Sequence, residues 1–347
     1  MYICAVNRKG SILIGLGAIV VLFALNLMMG KIKIPVNEIF AILWSGSSEQ
    51  PAWQHIILQS RLPQAITALF AGASLAASGL LLQTLFRNPL AGPSILGISD
   101  GANLGVALVM LLVGNSVGNH FIYTFGGSLA IIIASFTGAC LILGLIIFFS
   151  NKVSTPVMLL IIGLMIGYLA SSAISILNYY SSADRMRAYV MWGMGDFSAV
   201  TNERLPFFVI ASLTGLILSI LLIKPLNALL LGEMYAANLG VHIKRTRLLI
   251  LLCTGLLIAT VTAFCGPISF IGLAVPHIAR LLLGTSNHSR LLPLTIILGA
   301  CIALICNVIT ILPGSDGILP LNAVTPLIGA PVIIYVIINR KNIQYFN

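Results

Sequence analysis

Few side chains in this 347-residue chain have the type and spacing for covalent chemistry. His277 is the candidate general base near an apolar run. Because no convincing nucleophile accompanies it, we expect a helix-end histidine that faces water and no intramembrane hydrolase. No G-x-x-x-x-G-K-[ST] loop is present, so ATP binding by a Walker A site is excluded. The six cysteines form no CxxC pair and no His/Cys metal spacing, and we interpret them as small core residues: Cys4, Cys140, Cys253, Cys265, Cys301 and Cys306. We therefore predict no catalytic residue, metal or cofactor on this chain.

The composition places the chain in a membrane. Hydrophobic residues make up 59% of it, charged residues 7%, and the mean hydropathy is +1.08, whereas a soluble domain carries about 25% charged residues. The apolar runs are continuous and not alternating, so we predict an all-α polytopic membrane protein. The net charge of +10 suits basic residues that flank membrane spans better than it suits nucleic-acid binding.

Ten apolar runs are predicted to cross the membrane, at about residues 11–29, 62–82, 95–113, 121–149, 157–178, 206–223, 248–264, 268–283, 292–312 and 321–338. Only Cys265-Gly266-Pro267 separates the seventh from the eighth, so a single bent element is the alternative there. Most Lys and Arg lie inside if the N-terminus is inside, which predicts cytoplasmic N- and C-termini.

Three segments between the spans are more polar. Residues 31–60 are expected on the outer surface. Residues 224–247 read as a short amphipathic helix, a turn and a basic cluster on the cytoplasmic face. Residues 83–102 hold two prolines and three glycines, which predict a turn that places Asp100 near a span end. No ionisable residue is then expected at mid-membrane, which argues against a self-contained ion-coupled carrier.

The fifth span and Arg61 each allow two interpretations. A polar, methionine-bearing stripe on the fifth span either lines a path for a bulky amphipathic solute or is buried packing: Met158, Met165, Tyr168 and Ser172. Arg61, at the start of the second span, is either an interface anchor or a docking charge for a partner outside the membrane.

Several segments, in order along nearly the whole chain, resemble the FecCD permeases, the membrane subunits of ABC importers for ferric siderophores, heme and cobalamin. The family's second span is similar to Arg61-Leu62-Pro63, Ala71–Gly79 and Gln83. Its signature turn is similar to the segment with Arg87, Asn88, Pro89, Gly97 and Gly101. Its coupling segment is similar to the one with Leu231, Gly232, Glu233, Ala237, Leu239 and Gly240. Phe270–Leu273, together with Pro276, His277 and Arg280, resembles the family's eighth-span motif.

The resemblance implies a type II ABC importer permease in the bacterial inner membrane. It implies one transmembrane permease domain over residues 1–347, a homodimer with the pathway at its two-fold axis, a separate cytoplasmic ABC ATPase dimer, and a periplasmic or lipid-anchored substrate-binding protein. The chain would import an iron chelate (siderophore or heme) or cobalamin by alternating access and would not itself be an enzyme. The alternative function is a self-contained secondary transporter or channel.

The resemblance also assigns roles to residues. The segment 231–240, with Glu233 central, would dock into the ATPase, and Ser154 and Thr155 would belong to a cytoplasmic gate. Arg61 matches one outer docking arginine of the cobalamin-type relatives. Gln64 stands where a second is expected, so Arg185, Arg187 or Arg204 would have to compensate.

Overall fold

The computed structural model describes residues 8–46, 50–112, 127–153, 155–311 and 319–338. Within these ranges the chain is helical and forms no strand. In chain order the helices are α1 (Arg8–Met28), α2 (Val36–Ser45), α3 (Pro51–Ile56), α4 (Leu62–Leu85), α5 (Ile98–Leu112), α6 (Gly127–Ser150), α7 (Pro156–Tyr180), α8 (Ala183–Gly193), α9 (Leu205–Leu221), α10 (Ile223–Leu230), α11 (Glu233–Asn238), α12 (Ile243–Cys265), α13 (Ile271–Leu283), α14 (His288–Thr310) and α15 (Leu321–Ile338).

Each of the ten predicted spans coincides with a helix where it falls on described residues; the part of the fourth before Gly127 lies outside them. By length and composition, six helices of the described chain could cross a membrane: α1, α4 together with α3 and the π-helical turn Ile57–Arg61 before it, α6, α7, α12 and α14. The pair α9 and α10, bent by 50°, makes a seventh if it counts as one span. The remaining three predicted spans correspond to α5, α13 and α15, which are shorter apolar helices.

Two residues with positive φ separate α12 from α13. Gly266 (φ 76°) ends α12 and Phe270 (φ 67°) precedes α13, so the backbone leaves the helical region twice within five residues. The seventh and eighth predicted spans are therefore two helices and not one bent element.

Helix α4 lies at the centre of the bundle. It packs against α14, α12, α13 and α9, and nearly all of its side chains are buried. Its small residues permit these close approaches, because a Cβ on Gly72 would collide with the backbone of Gly299 on α14. A second group, α5, α6 and α7, packs beside this centre.

Four cysteines fit the expected core positions and one does not. Cys253, Cys265, Cys301 and Cys306 are buried, whereas Cys140 is exposed on α6. The prediction of a core position is therefore wrong for Cys140, since α6 turns only one narrow face toward its neighbours. Cys4 lies outside the described residues.

Candidate functional site

The predicted coupling segment projects large apolar side chains into its surroundings. Gly232 (φ 109°) turns the chain sharply between α10 and the short helix α11. Met234 is 84% exposed and Tyr235 68% exposed, and Leu231 and Leu239 are also open. Ala237 and Gly240 are exposed, and Ala236 holds the segment against the bundle. Exposed apolar side chains on a short surface helix are typical of a protein contact.

Glu233 forms an ion pair that the sequence did not predict. Its Oε1 lies 3.0 Å from Nη2 of Arg247, which is in the second turn of α12. Arg247 is 7% exposed, and its Nη1 donates to the carbonyl of Ser150, the last residue of α6, at 3.5 Å. The basic residues of the segment 244–247 therefore differ in exposure, because Arg245 is exposed whereas Arg247 is buried.

The turn after α4 lies next to the coupling segment. Arg87 has φ 46°, unusual for a residue with a side chain, and its Nη1 lies 3.7 Å from where a Cβ on Gly232 would stand. The Asn88 side chain accepts from Leu90 N–H at 2.9 Å, which closes the turn before the 3-10 segment Pro93–Leu96. The family-like turn and the coupling segment are thus neighbours.

His277 does not face water, and that prediction is wrong. The side chain is fully buried on α13, and its Nε2 lies 2.8 Å from the carbonyl oxygen of Pro89. Pro276 lies beside it inside the helix. Because α13 packs on α4, the histidine at its middle meets the turn that follows α4. His277 therefore holds this turn against α13.

A buried polar cluster joins four helices at the side predicted to be cytoplasmic. Gln83 on α4 accepts from Arg280 Nη1 at 2.6 Å and donates to the carbonyl of Leu273 at 3.3 Å. Thr84, the next residue, lies 2.7 Å from His288 Nε2 on α14, and the His288 N–H donates to the Asn227 side chain on α10 at 2.7 Å. Only Gln83 and Arg280 carried a sequence signal. The others look like ordinary polar residues until the fold brings them together.

Asp100 lies deeper than predicted. The turn and Gly97 (φ 71°) carry the chain back into the bundle before α5 begins, and a Cβ on Gly167 would stand 2.6 Å from Asp100 Oδ2. Gly167 is at the middle of α7, so the carboxylate is not at a span end. Burial and the negative charge of Asp100 raise the pKa of Tyr189 on α8 to about 12. An acidic group at this depth is a functional candidate.

Two glycines let α5 approach its neighbours. A Cβ on Gly97 would stand 2.9 Å from the carbonyl oxygen of Gly163 on α7, and one on Gly101 would stand 2.6 Å from that of Gly138 on α6.

The predicted gate residue Thr155 accepts from Met158 N–H at 3.4 Å and caps α7. Ser154 lies outside the described residues.

The predicted pathway residues share an open face of α7. Met158, Met165, Tyr168 and Ser172 are all exposed in the single chain, while Leu159, Gly163, Gly167 and Ala170 face the bundle. The single chain therefore does not bury these four side chains.

At the predicted outer end, Arg61 is 6% exposed. Its guanidinium donates to the carbonyls of Leu27 (2.7 Å), Met28 (3.2 Å) and Ile32 (2.5 Å), so it closes the end of α1. This geometry supports the anchor and does not support a docking charge.

Gln64 is buried one turn further along. It donates to Asn307 Oδ1 at 2.9 Å, and Asn307 donates to Asn26 Oδ1 at 2.7 Å. The chain of amides ties α4, α14 and α1 together.

Comparisons with known proteins agree on one group. A family model described as the FecCD transport family matches residues 18–339. The molybdate import system permease protein MolB of Haemophilus influenzae is 36% identical, covering 92% of this chain and 93% of the relative. The hemin transport system permease protein HmuU of Yersinia pestis is 34% identical, covering 87% and 88%. The vitamin B12 import system permease protein BtuC of Klebsiella pneumoniae is 34% identical, covering 93% and 92%. A solved inward-facing conformation of a metal-chelate type ABC transporter is similar with a TM-score of 0.81 at 31% identity, covering 95% of this chain and 98% of that one.

Proposed function

The chain belongs to the FecCD transport family, and on that premise we propose that it carries a metal chelate with an organic shell. It is an ABC importer permease, a multi-pass membrane transport subunit and not a catalytic enzyme. The relatives differ in their named cargo, which includes molybdate, hemin and vitamin B12. The cargo class therefore depends on this chain's own residues.

The uncharged open face of α7 carries the proposal. None of the 25 residues of Pro156–Tyr180 is Asp, Glu, Lys or Arg. Most of the exposed side chains there are large and apolar or aromatic, with Met165 at 47% and Tyr168 at 65% exposure, and the exposed polar ones are uncharged. Such a surface suits the organic shell of a siderophore, heme or cobalamin, because it offers dispersion contact and thioether and ring faces.

A bare oxyanion suits this face poorly. Proteins bind oxyanions through arginine, lysine or convergent N–H groups, and α7 supplies no basic side chain. Asp100, which contacts α7 at Gly167, adds a negative charge that would repel an anion. A chelate is therefore favoured over molybdate as the cargo of this chain.

The assembly follows the family. An ABC permease works with an ATPase partner, and we propose a homodimer with α7 at its pathway, an ABC ATPase pair against α11 and an outer substrate-binding protein. ATP would be used by the ATPase, with no cofactor on this chain. We place the assembly in the bacterial inner membrane with both termini in the cytoplasm.

Uptake by the reconstituted complex tests the cargo class. Proteoliposomes that hold the chain, its ATPase and its binding protein are offered ferric siderophores, heme, cobalamin and molybdate in parallel. We expect ATP-dependent uptake of at least one chelate. We also expect Tyr168→Ala to reduce its rate several-fold, while Leu141→Ala, on the exposed side of α6, leaves the rate unchanged. Uptake of molybdate without any chelate would overturn the proposal.

A further inference from the structure

Arg247 contacts two different elements through the two terminal nitrogens of its guanidinium. Its Nη2 lies 3.0 Å from Glu233, the first residue of α11. Its Nη1 lies 3.5 Å from the carbonyl oxygen of Ser150, where α6 ends. The guanidinium lies between them in a site that leaves only 7% of the residue exposed.

The Ser150 carbonyl belongs to a helix end, where a cation is favourable. The last carbonyls of an α-helix lack partners within the helix and carry partial negative charge. The N–H groups of Lys152 and Val153 both bond to Phe149 O, and Arg247 is the side chain that reaches Ser150 O. Beyond Ser150 the chain passes through residues 151–153 to α7, whose open face we assign to the pathway.

A buried guanidinium keeps its anion. Arg247 Nε has no hydrogen-bond partner among the described residues, and Glu233 is the one carboxylate within ion-pair distance there. Separating the two would leave a charge buried without compensation, which is strongly unfavourable. We therefore expect a displacement of α11 to carry Arg247 with it, and a displaced Arg247 to shift the end of α6.

We propose that Arg247 is a positioning residue that transmits movement of α11 to the start of the loop between α6 and α7, through its bonds to Glu233 and Ser150. The proposal rests on the coupling role of α11 given above, in which the ATPase moves that helix. Arg247 would act through the loop and would not contact the cargo.

Three variants separate this role from a general need for positive charge. Arg247→Gln removes the ion pair. Arg247→Lys keeps the charge, but a single ammonium group lacks the planar fork that spans two acceptors. Arg245→Gln is the matched control, because Arg245 has the same charge two residues away and is exposed.

Hydrogen–deuterium exchange on the complex with its ATPase, with and without ATP and vanadate, provides the readout. In the wild type and in Arg245→Gln, nucleotide trapping should change exchange in residues 233–238 and in residues 147–153. In Arg247→Gln the response of 233–238 should persist while that of 147–153 falls at least threefold. Arg247→Lys should fall between them.

Each other outcome contradicts the proposal. If residues 147–153 of Arg247→Gln responded to nucleotide as they do in the wild type, the proposal would be overturned. If Arg247→Gln failed to fold, a wild-type response of residues 147–153 in Arg247→Lys would overturn it instead. If α11 of the wild type did not respond to nucleotide, there would be no movement to transmit. The measurement uses no cargo, so an error in the proposed chelate would leave its result unchanged.

Discussion

Replacing Gly79 with alanine should force α4 away from α13. A Cβ at this position would stand 2.6 Å from the carbonyl carbon of Gly272 and 2.9 Å from its Cα, and closer still to its oxygen. Unstrained carbon–carbon contacts lie at about 3.5–4.0 Å, so the helices must separate by at least about 1 Å. All three atoms belong to the backbone, and no side-chain rotation relieves the clash.

The separation has a calculable cost because a buried hydrogen-bond cluster lies one turn away. Gln83 reaches the carbonyl of Leu273 at 3.3 Å, and about 1 Å more would break that bond. Overpacking costs about 1–3 kcal/mol, and an unsatisfied buried group costs about 1–3 kcal/mol more. The better helix propensity of alanine returns up to about 1 kcal/mol. Together these terms give a net loss of about 1–6 kcal/mol in the free energy of unfolding, with a middle value of about 3 kcal/mol.

Unfolding in mixed micelles titrated with SDS, followed by tryptophan fluorescence, measures this loss. Gly144→Ala is the control, because Gly144 lies on α6 and a Cβ there would meet nothing within 4 Å. The control should be unchanged or up to about 1 kcal/mol more stable. If Gly79→Ala unfolded within about 0.5 kcal/mol of the wild type, the helix contact would not be as close as described and the reasoning would fail.

Three further substitutions test other contacts. Glu233→Arg places a second guanidinium group beside Arg247, and it should lower the cargo transported per ATP by at least about tenfold without loss of assembly. An unchanged ratio of uptake to ATP hydrolysis in the same proteoliposomes would contradict this. Arg61→Leu should cost about 1–3 kcal/mol in the SDS titration and leave binding-protein affinity intact; lost affinity at full stability would restore the docking role. Asn307→Leu leaves Gln64 without its acceptor and should cost a similar amount, so a wild-type titration curve would show that the amide chain contributes nothing.

The sequence predicted the helices well because their signal is local. A continuous apolar run flanked by polar or charged residues marks a span whatever the rest of the chain does. The break between α12 and α13 was ambiguous for the opposite reason. One of its two positive-φ residues is Phe270, and an aromatic residue carries no sign that it will adopt that conformation.

The wrong prediction at His277 and the unresolved choice at Arg61 share one physical cause. Each side chain was judged by its position in a helix, and each is bonded to backbone carbonyls that a different part of the chain leaves open. Pro89 lies 188 residues from His277, and Leu27 lies 34 residues from Arg61. Which carbonyls lack a partner depends on where helices end, so polar side chains near predicted ends should be tested first as caps.

The missing outer arginine at position 64 has an interior explanation. Gln64 points between α4 and α14, where it donates to Asn307. A guanidinium there would bring a charge into a site that is 8% exposed, and the contacts of Gln64 and Asn307 are amides and not carboxylates. Packing among the three helices therefore determines this residue, and the loss of a docking charge is its consequence.

Of the three arginines that could replace the docking charge absent at position 64, only one has a free side chain among the described residues. Arg185 donates to the carbonyl of Leu111, and Arg204 donates to Ser128 Oγ at 2.6 Å, so both are engaged within the chain. Arg187 is exposed on α8 and makes no hydrogen bond or ion pair with the described residues. Because a free exposed charge steers a partner more effectively than one already bonded, electrostatic docking at the outer face would depend on Arg187.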